Sequence, residues 1–332
     1  MTVDGFSERW KNFPDYILGI TQEIWEGRGI GTLNRYYAPD LHVRTPMGVQ
    51  SGNQAVIAAT MSTLHEFPDR ELLGEDVIWS GDAETGFLSS HRILSTGTHS
   101  SDGVFGPASG KKFKVRIIAD CAAKADCIYD EWMIRDYGGI VRQLGGDPRG
   151  FAASLIAAEG GASNCAAPLT PETDPPLKYT GNGNENEWGA RYATTLQRMM
   201  DKDFNVIVSD YDRAVRCDYP GGQSGHSHAF ATEFWLGLWS AFPNAEFKIH
   251  HQIGMDADML SPRTAIRWSL HGKHEGHGAF GRPTGAEVFV MGMCHAEFGP
   301  YGEDGASIRY ECALYDEVAI WKQILMQSGE IS

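Results

Sequence analysis

The chain has 332 residues, 42% hydrophobic and 21% charged, enough for two ordinary domains that each bury a core. A formal net charge of −15 and the lack of any basic stripe argue against a nucleic-acid partner and against an anionic membrane surface. No apolar run is long enough to span a bilayer, residues 1–10 are too polar for a signal peptide, and six cysteines without a C-x-x-C pair point to a reducing, cytoplasmic setting.

The spacing of Tyr16, Ile17, Ile20 and Ile24 after Pro14 predicts a first helix. Gly27, Gly29 and Gly31 end it before a short helical piece to about Tyr37. These glycines follow a helix rather than a strand, so they do not form a dinucleotide loop. Asn53 is placed to cap a second helix through Val56, Ile57, Thr60, Met61 and Leu64, which Phe67-Pro68 stops. Strands are predicted at residues 70–79, 85–98, 111–119 and 127–135. Prolines 168, 171, 175 and 176 and glycines 181 and 183 mark a linker, with a short helix over residues 152–158. The pattern then returns, with helices over 187–200 and 229–241 and strands at 246–253, 263–271, 287–297 and 307–314. Helices followed by consecutive strands indicate an α+β fold with an antiparallel sheet.

The return extends to single residues. Glu131-Trp132-Met133-Ile134-Arg135-Asp136 is echoed by Glu311-Cys312-Ala313-Leu314-Tyr315-Asp316, 180 residues later. Phe67-Pro68, Arg92, Gly97-x-His99 and Phe105-Gly106 recur 175 residues later, at Phe242-Pro243, Arg267, Gly272-x-His274 and Phe280-Gly281. Val43-Arg44 and Gln50-Ser51-Gly52 are echoed by Val215-Arg216 and Gln223-Ser224-Gly225, the last 173 residues on. The five-residue gain falls in a Gly-rich turn, residues 299–305. An ordered series of this kind predicts two tandem domains, residues 1–147 and 187–332, joined by residues 148–186.

The first of these resembles the SnoaL-like polyketide cyclase family, a branch of the nuclear transport factor 2 superfamily. The residues that carry the resemblance are Phe67-Pro68-Asp69, Glu75-Asp76, Gly81-Asp82, Gly97-Thr98-His99, residues 105–110 and the Glu131–Asp136 stretch followed by Gln143-Leu144-Gly145. The second domain is similar more weakly, with Cys312 in place of Trp132. The resemblance implies two cone-shaped domains, each a curved antiparallel sheet wrapped on N-terminal helices around an apolar pocket. It also implies metal- and cofactor-independent acid/base catalysis on a small, largely apolar or aromatic carbonyl compound, of cyclase, dehydratase or isomerase type. The acid on the last strand falls on Asp136 and Asp316. Counting back through the hairpin adds Asp120 in the first domain and His295 and Glu297 in the second.

Each of these residues has a second reading. Asp136 is either an acid/base group or the cap of a following helix. Asp316, His295 and Glu297 are either a proton-transfer set or a solvated hairpin edge. His99 and His274 begin Gly-rich turns, as ligand-binding groups or as backbone-bonded turn histidines. Arg92 and Arg267 either steady an anionic group or pair with local carboxylates, and Trp132 suits a flat ligand or the core. His271, His274 and His277 do not share a face of a strand, so no metal site is expected. A non-catalytic ligand-binding or dimerisation protein of the same fold is the alternative. Intramolecular pairing of the domains is expected, and a homo-oligomer stays open.

Overall fold

The computed structural model describes residues 3–302 and 305–329. Glu303 and Asp304 of the Gly-rich turn, Met1 and Thr2 of the N-terminal stretch, and residues 330–332 lie outside it. In the first half, Asn12 accepts the Asp15 N–H and caps helix α1 (Phe13–Thr21). A π-helical turn (Gln22–Glu26) and a 3-10 turn (Ile30–Thr32) lead to α2 (Leu33–Tyr36). A hairpin of β1 (His42–Thr45) and β2 (Gly48–Ser51) follows, then α3 (Asn53–Glu66). Gly52 rather than Asn53 caps α3, because its φ of 83° suits glycine, and Asn53 instead donates to the Tyr37 carbonyl. Four long strands come next: β3 (Glu71–Asp82), β4 (Gly86–Thr98), β5 (Lys112–Lys124) and β6 (Cys127–Arg135). Helices α4 (Tyr137–Leu144) and α5 (Pro148–Ala158) close this half.

The second half repeats the order. It comprises α6 (Glu187–Met200), α7 (Val206–Asp210), β7 (Tyr211–Tyr219), β8 (Gln223–His226) and α8 (His228–Ala241). It continues with β9 (Glu246–Met255), β10 (Arg263–Lys273), β11 (Glu287–Gly299), β12 (Ser307–Leu314) and α9 (Glu317–Ser328). The strand orders correspond, β2-β1-β6-β5-β4-β3 and β8-β7-β12-β11-β10-β9. The chain is thus a structural duplication.

Two expectations change. Neither sheet closes into a cone. Each is an open six-stranded sheet whose end strands, β2 and β3 or β8 and β9, have one neighbouring strand each, and the linker at Gly183 bridges the outer edge of β9 at Gln252. Nor is either wholly antiparallel, since β1 pairs parallel with β6 and β7 with β12. The small hairpins that make these parallel pairs carry too few residues to show an alternating pattern in the sequence.

The hairpins also correct the repeat. Val43 lies opposite Glu131, and Cys217 lies opposite Glu311, so Val43 corresponds to Cys217 and not to Val215. Gly52 likewise corresponds to Ser227, which caps α8 with φ 90°. The sequence echo was two residues out of step. A slip of two preserves the in-out alternation of a strand, so pattern alone does not expose it.

The two sheets pack back to back. Ile78, Ile118, Trp132 and Ile134 of one meet Ile253, Met291, Met293 and Cys312 of the other in one buried cluster. The linker is pinned into this seam. Arg44, fully buried, pairs with Asp130 and Asp174 and donates to the Pro175 carbonyl at 3.0 Å. Among the described residues, no helix is long and apolar enough to cross a membrane.

Candidate functional site

Strand alternation sorts the central residues of the first sheet into two faces. His91 and Ile93 of β4, Ile117, Ala119 and Cys121 of β5, and Glu131, Met133 and Arg135 of β6 turn toward the helices. The register sets them in rows: His91 opposite Ala119, Ala119 opposite Met133, Cys121 opposite Glu131. With Ile17 and Ile20 of α1, Trp25 of the π-helical turn and Val56 and Thr60 of α3, they line a cavity of about 210 Å³.

Several of its polar groups are deeply buried. Glu131 is 5% exposed, and its Oε2 has no hydrogen-bond partner. Burial pushes its carboxyl up to about 7, opposed by a hydrogen bond from Tyr37 and by the charge of Arg135. His91 is 2% exposed with Nε2 unpartnered, and burial pulls it down to about 4, so the imidazole is neutral at physiological pH. The Cys121 thiol is pushed up by burial and is not a ready nucleophile. Arg70 and Arg135 lie at one end, where Arg70 donates to Ser95 and Arg135 to the Tyr137 hydroxyl at 3.2 Å.

One wall residue comes from the other half. Asp316 caps α9, its Oδ1 accepting the N–H groups of Val318 and Ala319. Its Oδ2 is buried and has no partner, and Asp316 is among the residues that line the first half's cavity. Burial pushes this carboxyl up to about 8, against those two N–H donors. Asp136 is its counterpart and is used differently. It accepts the Gly139 N–H as the cap of α4, then Gly221 and Gly222 N–H from the β7–β8 turn, at 2.7–2.8 Å. Burial raises it to about 6, with those backbone donors opposing. Each half's capping aspartate therefore reaches toward its neighbour. Asp136 is fully engaged there, and Asp316 keeps one oxygen unpaired.

The corresponding space in the second half is filled. Glu311, at the position of Glu131, accepts hydrogen bonds from Tyr192 and Tyr211 at 2.6 Å, from Tyr219, and from the Trp235 indole at 3.1 Å. By register Tyr219 replaces Thr45, and Trp235 replaces Thr60 at the matching position of the helix. Trp268 replaces Ile93 and lies over Gly292, where the first half has Ile117. Trp235 and Trp268 are both fully buried. Ile266 stands where the first half has His91.

Most residues singled out in the sequence lie on the opposite face, in the seam. Asp120 pairs with Arg267 at 2.9 Å, and Arg267 stacks 3.7 Å from the Trp132 ring centroid. His295 Nε2 meets Ser90 Oγ at 2.9 Å, and Glu297 pairs with Arg92 at 3.2 Å. His99 contacts Ser109 and Glu66, and His274 contacts Thr284, both as buried turn residues. Counting back from Asp136 selected even-numbered positions, whereas Asp136 itself stands beyond the end of β6. In β4–β6 of the first half the odd-numbered positions face the helices, and the odd offset of 175 reverses that parity in β10 and β11. Glu131 and His91 were not proposed from the sequence. The signal was present, because a Glu amid apolar strand residues opens both copies of the repeated stretch. Among the described residues, no group of three or more His, Cys, Asp or Glu side chains is placed to hold a metal ion.

Residues 16–144 match the sequence model of the family described as SnoaL-like polyketide cyclase. No curated protein matches the chain. Among solved structures the chain is similar to IdmH from Streptomyces antibioticus, at 23% identity over 40% of this chain and 97% of that one, with a TM-score of 0.35. TsrD from Streptomyces laurentii is similar at 22% identity over 40% and 93%, TM-score 0.35. A SnoaL-like polyketide cyclase from Agrobacterium tumefaciens is similar at 16% identity over 41% and 99%, TM-score 0.33.

Proposed function

We propose that this chain, whose residues 16–144 belong to the SnoaL-like polyketide cyclase family, carries out acid/base catalysis on a small, largely apolar carbonyl compound in the first half's cavity. One observation carries the reading. A buried carboxyl raised to about 7, with one oxygen unpaired, lines the cavity of the first half, whereas the matching space of the second half holds the fully buried Trp235 and Trp268. A base with a pKa near the working pH is well matched to removing a proton next to a carbonyl. Glu131 is assigned that role, with Tyr37 fixing its orientation. Asp316, raised to about 8, stays protonated at neutral pH and supplies a hydrogen bond to the oxyanion that forms as the α-proton leaves. Neutral His91 orients a polar group of the substrate and charges only in acid. The substrate class covers cyclase, dehydratase and isomerase chemistry alike, since each begins with this proton transfer.

The second half is assigned a supporting role. Its filled core holds Asp316 in place, and its Glu311 is spent on four structural hydrogen bonds. The test is a thermal-shift screen of small carbonyl compounds, followed by turnover assays on wild type, E131Q and D316N. Binding with turnover lost in E131Q supports the assignment. Binding with turnover unaltered in both variants sinks it. Tight binding with no turnover by wild type leaves a binding module of the same fold.

A further inference from the structure

The seam between the halves holds a second polar site, made of an alternating chain of charges. It starts at Arg309, 3.8 Å from Glu297. Glu297 pairs with Arg92 at 3.2 Å, and Arg92 with Glu75 at 3.2 Å. Glu75 receives two bonds from Arg116 at 2.9 Å. Arg116 continues to Asp218 at 3.2 Å, and Asp218 to Arg216 at 3.4 Å. The chain therefore begins and ends on an arginine and has one more cation than anion. Both ends line the same open cleft of about 350 Å³, which the Tyr310 ring also borders. Arg92 and Arg216 stand over that ring, 4.6 and 5.7 Å from its centroid.

Three features mark a ligand rather than a finished network. The terminal guanidinium groups are the loosest, with side chains 52% and 53% exposed at Arg309 and Arg216. Asp218 Oδ2, the oxygen nearest Arg216, receives no hydrogen bond, so that guanidinium is not committed to it. Arg92 is 6% exposed, lines the cleft, and has a buried Nη1 without a partner. A buried cationic donor with nothing to donate to is costly unless something fills the site. An excess positive charge in a protein of net charge −15 also marks this cleft off from the rest of the surface.

We propose that this cleft binds a small oxyanion of the phosphate class, either free phosphate or the phosphoryl group of a monoester, bridging Arg216 and Arg309 beside the guanidinium of Arg92. Such an anion closes the open chain into a ring of alternating charge. Guanidinium groups suit it, because each presents several fixed donors to tetrahedral oxygens. The site exists only because two halves pack together, since Arg92, Arg116 and Glu75 come from one and the other members from the second. It does not depend on the reaction assigned to the cavity.

Calorimetric titration of the full chain tests this, with inorganic phosphate and phenyl phosphate in parallel and chloride at matched ionic strength as the blank. Saturable binding of one phosphate per chain is expected, weakening as salt is raised. R216Q and R309Q should each weaken it by about ten-fold or more, and the pair should abolish it. Both side chains are half exposed and loosely paired, so the thermal midpoint without phosphate should barely move. R309K, which keeps the charge, should retain part of the affinity. Tighter binding of the monoester assigns the site to a phosphorylated metabolite, and equal binding assigns it to free phosphate. No saturable heat, or an unchanged affinity in R216Q/R309Q, overturns the proposal, the latter showing an adventitious ion elsewhere.

Discussion

Replacing Glu131 with Gln tests the core of the functional reading through stability. The carboxyl stands at about 7 in the folded protein against 4.5 for an ordinary Glu. Below pH 4.5 it is protonated whether the chain is folded or not. Between pH 4.5 and 7 the unfolded chain gives up its proton while the folded one keeps it, so this group's contribution to stability falls as pH rises. The fall is complete above pH 7 and amounts to about 3 kcal/mol. Gln has the shape of the protonated acid and does not titrate, and the oxygen it replaces has no partner to lose. E131Q should therefore match wild type near pH 4 and exceed it by about 3 kcal/mol at pH 8. In melting temperature that is roughly 4 to 9 °C, the smaller figure if both halves unfold together. Asp136 and Asp316 also have raised values and give the same slope to both proteins, so the difference curve isolates Glu131. Chemical denaturation of the two proteins from pH 4 to 8 measures it. A flat difference would refute both the raised carboxyl and the argument that Glu131 is held out of its stable state for chemistry.

Four further outcomes follow from the same geometry. Thr60→Trp, which copies Trp235 of the second half, should fill the cavity and abolish ligand-induced thermal shifts while leaving the fold at least as stable, since up to about 2 kcal/mol of apolar surface is buried. Glu311→Gln should cost about 2–3 kcal/mol in denaturant midpoint, because a carboxylate with four donors becomes an amide facing O–H and N–H groups, and turnover should not change. Asp136→Asn should cost about 2 kcal/mol by the same measurement, because with its oxygen kept on the Gly139 and Gly221 N–H groups its NH2 opposes the Gly222 N–H. His91→Phe should remove a term of opposite sign from the wild-type profile. The unfolded imidazole takes up a proton between pH 6.5 and about 4 while the buried one does not, so wild type alone should gain stability from this residue as pH rises through that window.

The sequence by itself determined the α+β class, the doubling and most long elements. The helical spacing around Tyr16–Ile24 and the strands that became β3–β6 and β9–β12 each carry a period that tertiary contacts only fill in. It also set down the residue proposed as the base, since Glu131 and Glu311 open the repeated stretch. What it did not carry is which face of a strand meets which layer. A one-position change of parity moves a residue from the helix-covered cavity to the seam, which is why Asp120, His295 and Glu297 read as site residues and lie between the sheets. The open sheets and the parallel β1–β6 and β7–β12 pairs rest on contacts between residues some ninety apart, which no local pattern records. Only the tertiary structure decided that Trp235, Trp268 and Tyr219 close one copy while Thr60, Ile93 and Thr45 leave the other open. It also decided that Asp316, which belongs to the closed copy by sequence, completes the wall of the open one. Side-chain volume is written in the sequence, but whether it fills a cavity depends on what stands opposite.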